Sequence, residues 1–286
     1  MGTVADQGRR VPGDGTAGRE PALVVSHVSK SFQRRGESSE VVNDASLTVE
    51  ANELVSIVGP SGCGKSTLLR IIAGLVSASS GTVTVGGTDS KDSLHELVLV
   101  FQEYERSLCP WRSAIGNVRL GLEGLRLSRA EREERADAAL ASVGLQEFAE
   151  HYPWELSGGM QQRLQIARAL AFQPSILLMD EPFGALDALT RYDLEDELLR
   201  LWRARSGMSI VLVTHDIDEA IYLSDRVLVV SSRPASVLAE FTVDVPRPRD
   251  QVTSRNSSEF QRLRAEIVQL IGRTSNSAAG HGADHR

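Results

Sequence analysis

The sequence predicts an α/β fold, and three observations carry that prediction: short apolar runs, helical patterns alternating with them, and a long helical block set between two groups of strands. LVSIV (54–58), ELVLVF (96–101), SILLMD (175–180) and SIVLVT (209–214) are nearly continuous in apolar residues, as strands covered on both faces of a parallel sheet are. After the first run, Leu68, Leu69, Ile72 and Leu75 recur at helical spacing, and RYDLEDELLRLWRAR separates the last two. Upstream, ALVVSHVSKSF and VVNDASLTVE alternate apolar with polar residues and read as an antiparallel pair, and TVTVGG is a further alternating strand.

From about 103 to 173 the pattern is helical. Ser128 and Glu131 have the spacing of a capping box, Glu131 and Arg135 that of an i,i+4 ion pair, and Gly144 marks the helix end. RVLVVSSRPASVLAEFTVDV returns to strands and PRPRD is a connector. Phe260, Leu263, Ile267 and Leu270 then form one stripe of a last helix. The expected division is a disordered tail at 1–21, one main domain at 22–245 with the helical insertion, a connector and helix at 246–273, and a second disordered tail at 274–286.

Composition narrows the function. With 31 basic and 38 acidic residues the formal charge is −7, which argues against a general nucleic-acid binder. Cys63 and Cys109 are the two cysteines, too few for a disulfide framework or zinc cage, and a reducing cytosol is the simpler setting. No stretch approaches the ~18 apolar residues of a spanning helix, and MGTVADQGRRVPGDG lacks a signal peptide's apolar core. The expectation is a chain that stays out of the bilayer and reaches a membrane only through a partner.

The chemistry is concentrated at strand ends. GPSGCGKS (59–66) fits the phosphate-binding pattern GxxxxGK(S/T) between a buried strand and a helix. Gly59 and Gly64 let the backbone curl, so that amide N–H groups and a helix N-terminus face phosphate oxygens. Pro60, Ser61, Gly62 and Cys63 complete the loop, and Thr67 follows it. Lys65 supplies a point charge for β- and γ-phosphates, and the Ser66 hydroxyl suits Mg2+. Cys63, near a helix N-terminus, is either a tolerated small residue or a reactive thiol through which a bulky reagent blocks ATP binding.

ILLMDE places Asp180 and Glu181 at a strand tip, Asp180 suited to hold Mg2+ and Glu181 to accept a proton from attacking water. In LSGGMQQR (156–163), Ser157 and the amides of Gly158 and Gly159 offer a second phosphate cradle; read plainly, the motif is an N-cap with two glycines.

With this last motif the chain resembles the ABC ATPase family over about residues 22–245. The resemblance implies a P-loop NTPase (RecA-like) core with an antiparallel β subdomain and an inserted α-helical subdomain. It implies that the Ser157 cradle closes over ATP bound to a second ATPase subunit, in a homodimer. Gln102 matches the Q-loop glutamine that contacts Mg2+ and water, and His215 the switch histidine that steadies the γ-phosphate and the water. Asp187 matches the D-loop residue that reaches across the dimer, its plain alternative being an N-cap. Phe32 lies where the family stacks an aromatic on adenine.

FQEYERSLCPWRSAIGNV, SSRPASV and DVPRPRD look like the ATPases of nitrate, sulfonate and taurine importers. Such proteins imply transmembrane permease subunits, an external solute-binding protein, and a peripheral place on the cytoplasmic face of the membrane. EYERSLCPW is where the family docks its permease, with Leu108, Pro110 and Trp111 as an apolar floor; alternatively Trp111 is core of the helical lobe. ABC proteins of DNA repair or translation, and a P-loop kinase, are the alternatives. The first lack their coiled-coil insertion or second cassette here, and the last has no need of LSGGMQQR.

Overall fold

A computed structural model describes residues 20–34, 37–93, 95–102, 107–184 and 186–280. Of the disordered tails expected at 1–21 and 274–286, residues 1–19 and 281–286 lie outside the described residues, while 274–280 continue the last helix. Among these residues ten strands form two sheets. β1 (Leu23–Arg34), β2 (Glu37–Val49), β4 (Ser80–Val85) and β5 (Thr88–Asp89) make an antiparallel sheet in the order β2-β1-β4-β5. The main sheet runs β10-β9-β3-β8-β7-β6, from β3 (Leu54–Val58), β6 (Leu97–Val100), β7 (Ile176–Asp180), β8 (Ser209–Thr214), β9 (Arg226–Val230) and β10 (Val237–Thr242). All its pairings are parallel except that of β10 with β9.

The continuous apolar runs follow from burial on both faces. Val55, Ile57, Leu178, Val211 and Val213 point to one core, shared with the antiparallel sheet and helix α1 (Lys65–Ile72). Leu54, Val58, Leu177, Met179 and Leu212 point to the other, shared with the helices. Successive residues of a strand face opposite ways, so both sets must be apolar.

The inserted lobe contains α2 (Ala114–Leu122), α3 (Arg129–Ser142) and α4 (Gly158–Ala171). The capping box at Ser128 forms, and Glu131 spends its carboxylate there, on the Ser128 N–H at 2.8 Å. The expected Glu131–Arg135 pair is thereby reduced to a longer-range attraction. α5 (Ala188–Ala204) and α6 (Ile217–Leu223) follow β7 and β8.

The last helix, α7 (Ser258–Gly280), buries Phe260, Leu263 and Ile267 as the stripe predicts. It runs past the boundary expected at 273: nothing in SNSAA breaks a helix, and the first glycine or proline beyond that boundary is Gly280. No helix among the described residues is long and apolar enough to cross a membrane.

The register sets the site. Val58 pairs with Thr214 and Asp180 with Val213, so β3, β7 and β8 end at one level. The residues just past those ends are the phosphate loop, Glu181 and His215. Open parallel sheets bind ligands at this edge.

Candidate active site

The phosphate loop is held by close approach on both sides. A Cβ on Gly64 would stand 2.5 Å from the Val41 carbonyl, and Gly64 has φ +127, so only glycine fits. No side chain caps the start of α1 at Gly64, which leaves its first N–H groups turned toward the loop. Lys65, nearly buried, curls over the loop and donates to the carbonyls of Gly59 (2.8 Å) and Pro60 (3.0 Å). A cavity of ≈ 280 Å³ opens there, lined by Val41, Gly62, Gly64, Lys65, Ser66, Thr67, Glu181 and Arg233.

Ser66 also lines a neighbouring cavity of ≈ 480 Å³ with Arg70, Phe101, Gln102, Ser107, Arg168 and Asp180. Its hydroxyl donates to Asp180 Oδ1 at 2.8 Å. Burial pushes the Asp180 carboxyl up, against the opposing pull of that hydrogen bond and of Arg70 and Lys65. A desolvated carboxylate beside a hydroxyl is a hard-oxygen pair that a small divalent cation would relieve, so these residues fit Mg2+.

Glu181 is the point of convergence. Its Oε2 accepts from Gln102 Nε2 at 3.1 Å and lies 3.1 Å from His215 Nδ1. Its backbone is left-handed, φ 46, with the N–H fixed to the Val213 carbonyl at 2.8 Å. A non-glycine residue held in that region costs about 1–3 kcal/mol and commonly marks a working position. Three motifs far apart in sequence thus meet on one carboxylate oxygen.

The second cradle stands apart from these groups. Ser157 is exposed, and its Oγ accepts from the Met160 N–H at 3.3 Å as the cap of α4. Asp187 caps α5 by accepting from the Thr190 N–H at 3.1 Å, and the bonds from Thr190 hold its carboxyl below the usual range. Both plain readings therefore describe the free chain. The two helix starts touch: a Cβ on Gly159 would lie 2.8 Å from Thr190 Cγ2. Phe32, on β1, is 42% exposed, with Lys30 Nζ 4.9 Å from its ring centroid.

Residues 42–184, half of the chain, match the ABC transporter family. The chain belongs to that family. A taurine import ATP-binding protein of Rhizobium johnstonii is 42% identical to this ABC ATPase over 259 residues, spanning 89% of the chain and 98% of the relative. A bicarbonate transport ATP-binding protein of Synechococcus elongatus is 38% identical over 274 residues, spanning 95% and 97%. Among solved structures, an ATP-binding cassette described as a dimer in a post-hydrolysis state, bound to ADP and Pi, is 34% identical. It superposes with a TM-score of 0.67 over 77% of this chain and 98% of that one. The RecA-like core with its two subdomains is thus the family fold. The chain is an ATPase and the ATP-binding subunit of an ABC transporter, and the kinase alternative falls away.

Three expectations change. Cys63 is 2% exposed and packs in the core between the antiparallel sheet and α1, so its thiol is closed to a bulky reagent, and it serves as a small apolar residue. Trp111 is 72% exposed, which excludes it from the lobe core, whereas Leu108 belongs to that core and is no part of an exposed floor. Residues 103–106 of the expected docking segment lie outside the described residues.

Three residues emerge that the sequence did not signal. Gln165 donates to the Phe101 carbonyl (3.0 Å) and to Ser107 Oγ (2.9 Å), and Arg168 to the Ser107 carbonyl (2.6 Å), fastening Phe101 and Ser107 to α4. Arg191 joins Asp216, next to His215, to the carbonyl of Leu186, next to Asp187 (3.0 and 3.3 Å). Each contact spans tens of residues or a helical turn onto a loop, where no local pattern announces it.

Proposed function

We infer that this chain energises uptake of a small anion, such as nitrate, an aliphatic sulfonate or taurine, as one of a pair of identical ATPase subunits beneath a separate membrane permease. The reading is carried by the convergence of Gln102 and His215 on Glu181 Oε2 at the mouth of the phosphate cavity. That arrangement suits a carboxylate that takes a proton from water while its neighbours fix its direction.

Lys65 and the uncapped start of α1 grip the β- and γ-phosphates, with Gly59, Pro60, Ser61, Gly62, Cys63, Gly64 and Thr67 shaping the loop around them. Ser66, Asp180 and Gln102 would hold Mg2+, which when bound supplies positive charge to the phosphate oxygens. Water attacks the γ-phosphorus and gives its proton to Glu181 as the bond to ADP breaks, releasing inorganic phosphate. His215 steadies the γ-phosphate and the water. Phe32 stacks on adenine.

Ser157, Gly158 and Gly159 close over ATP held by the partner copy, and Asp187 reaches across the same seam. The exposure of Ser157 and Asp187 in the single chain supports this, since a cradle that serves only its own chain has no reason to face outward. Exposed Trp111 and Pro110 offer the permease its apolar contact, and the solute-binding protein acts at one remove, on the far side of the membrane. The solute class rests on SSRPASV, on DVPRPRD and on the taurine relative's match over nearly its full length. The bicarbonate relative extends that class to another small anion.

Glu181→Gln tests the core of the reading. Hydrolysis is expected to fall about 10³-fold while ATP still binds, and the copies should elute as an ATP-dependent dimer in size-exclusion chromatography. Normal turnover in this variant would remove Glu181 from its role.

A further inference from the structure

Arg233 belongs to the SSRPASV loop between β9 and β10, outside every motif that the site reading uses. That loop is stitched to β2 beside the phosphate loop: the Ala235 N–H donates to the Val41 carbonyl and the Asn43 N–H to the Ala235 carbonyl, both at 2.9 Å. The Ala235 Cβ stands 3.2 Å from where a Gly64 Cβ would be. Arg233 is thereby carried to the wall of the phosphate cavity, where it and Lys65 are the two cationic side chains in the lining.

Its hydrogen bonds leave its charge unanswered. Nη2 donates to Ser39 Oγ at 2.8 Å and Nε to the Glu40 carbonyl at 3.3 Å, both neutral acceptors. Arg226, by contrast, is met by the carboxylates of Glu53 and Glu240 at 2.8 and 2.6 Å. An exposed guanidinium paired with no carboxylate among the described residues, on the cavity proposed to take phosphate and in a chain of net charge −7, is a cation available to an anionic ligand.

The anchor fixes which part of the ligand it meets. Ser39 is the register partner of Phe32 across β1 and β2. Arg233 is therefore held between the ring proposed to stack on adenine and the loop proposed to grip the terminal phosphates. A nucleotide spanning the two passes it at the ribose and α-phosphate.

We propose that Arg233 is a nucleotide-binding residue that contacts the α-phosphate side of ATP and ADP, a contact made equally before and after hydrolysis. It rests on the reading of Phe32 and Lys65 given above, and it assigns the SSRPASV loop to nucleotide affinity. A contact common to substrate and product is uniform binding: it sets KM and leaves kcat alone.

The test is titration calorimetry of ATP and ADP on the full chain, with steady-state ATPase kinetics. In Arg233→Ala the dissociation constants for ATP and ADP should rise together, by about fivefold, with kcat at saturation within about twofold of wild type. Arg233→Lys should recover part of the loss. Arg233→Gln, which keeps hydrogen bonds to Ser39 and Glu40 without the charge, should not. Full recovery by Gln would make the residue a loop anchor and overturn the proposal, as would unchanged affinities in Arg233→Ala. Lys65→Ala run beside these separates the two ideas. If it abolishes ATP binding while Arg233→Ala changes nothing, only this inference fails; if the wild-type chain binds no ATP, the functional reading fails with it.

Discussion

The phosphate loop and the signature turn are both glycine-bearing bends that open a helix, yet their surroundings are opposite. The first is enclosed by its own chain: Lys65 is 4% exposed, Gly64 has the Val41 carbonyl behind it, and Ser66 meets Asp180. The second faces outward, with the Ser157 hydroxyl accepting from the Met160 N–H as a cap. Two helix-opening bends, one uncapped at Gly64 and one capped by Ser157, thus give an enclosed pocket in one place and an outward-facing turn in the other. The difference lies in what the rest of the fold brings near, and it supports a site completed by another copy.

That contrast can be broken most directly at Lys65. Lys65→Ala should weaken ATP binding by the isolated chain about a hundredfold or more, read by calorimetry, because it removes the near-buried cation. Retained binding would mean that the enclosed pocket is not the primary grip.

Ser157→Ala should do less and do it differently. Losing a cap costs about 1 kcal/mol of stability, binding to the isolated chain should be unchanged, and hydrolysis should fall about tenfold as the second half of the site weakens. Equal loss of binding and turnover would erase the distinction between the two turns.

The smallest effect is expected at Gly159→Ala. The added methyl meets the Thr190 Cγ2 at 2.8 Å, while alanine gains up to about 1 kcal/mol of helix propensity, so the net change in stability should stay within about 1 kcal/mol by thermal melting. Thr190→Ser in the same chain should then restore any lost turnover by vacating the contact.

The parallel strands were legible because each had to be apolar on both faces, and the gathering of residues at their tips because Lys65, Gln102, Asp180, Glu181 and His215 each follow or end such a run. The lobe's capping box at Ser128 was local and equally readable. Other features depended on distance. Arg233 reaches β2 across most of the chain, and Gln165 reaches Phe101 through the packing of α4 against the sheet. Cys63 shows the opposite failure: a loop position suggested access, but packing against the antiparallel sheet closes it off.

Gln165 and Arg168 moor Phe101, the residue before Gln102, and Ser107 to one rod, α4. From Gln165 back to Ser157 that rod measures ~12 Å at helical rise. In the proposed dimer that rod would tie the neighbourhood of Gln102 to the rim that faces the second copy.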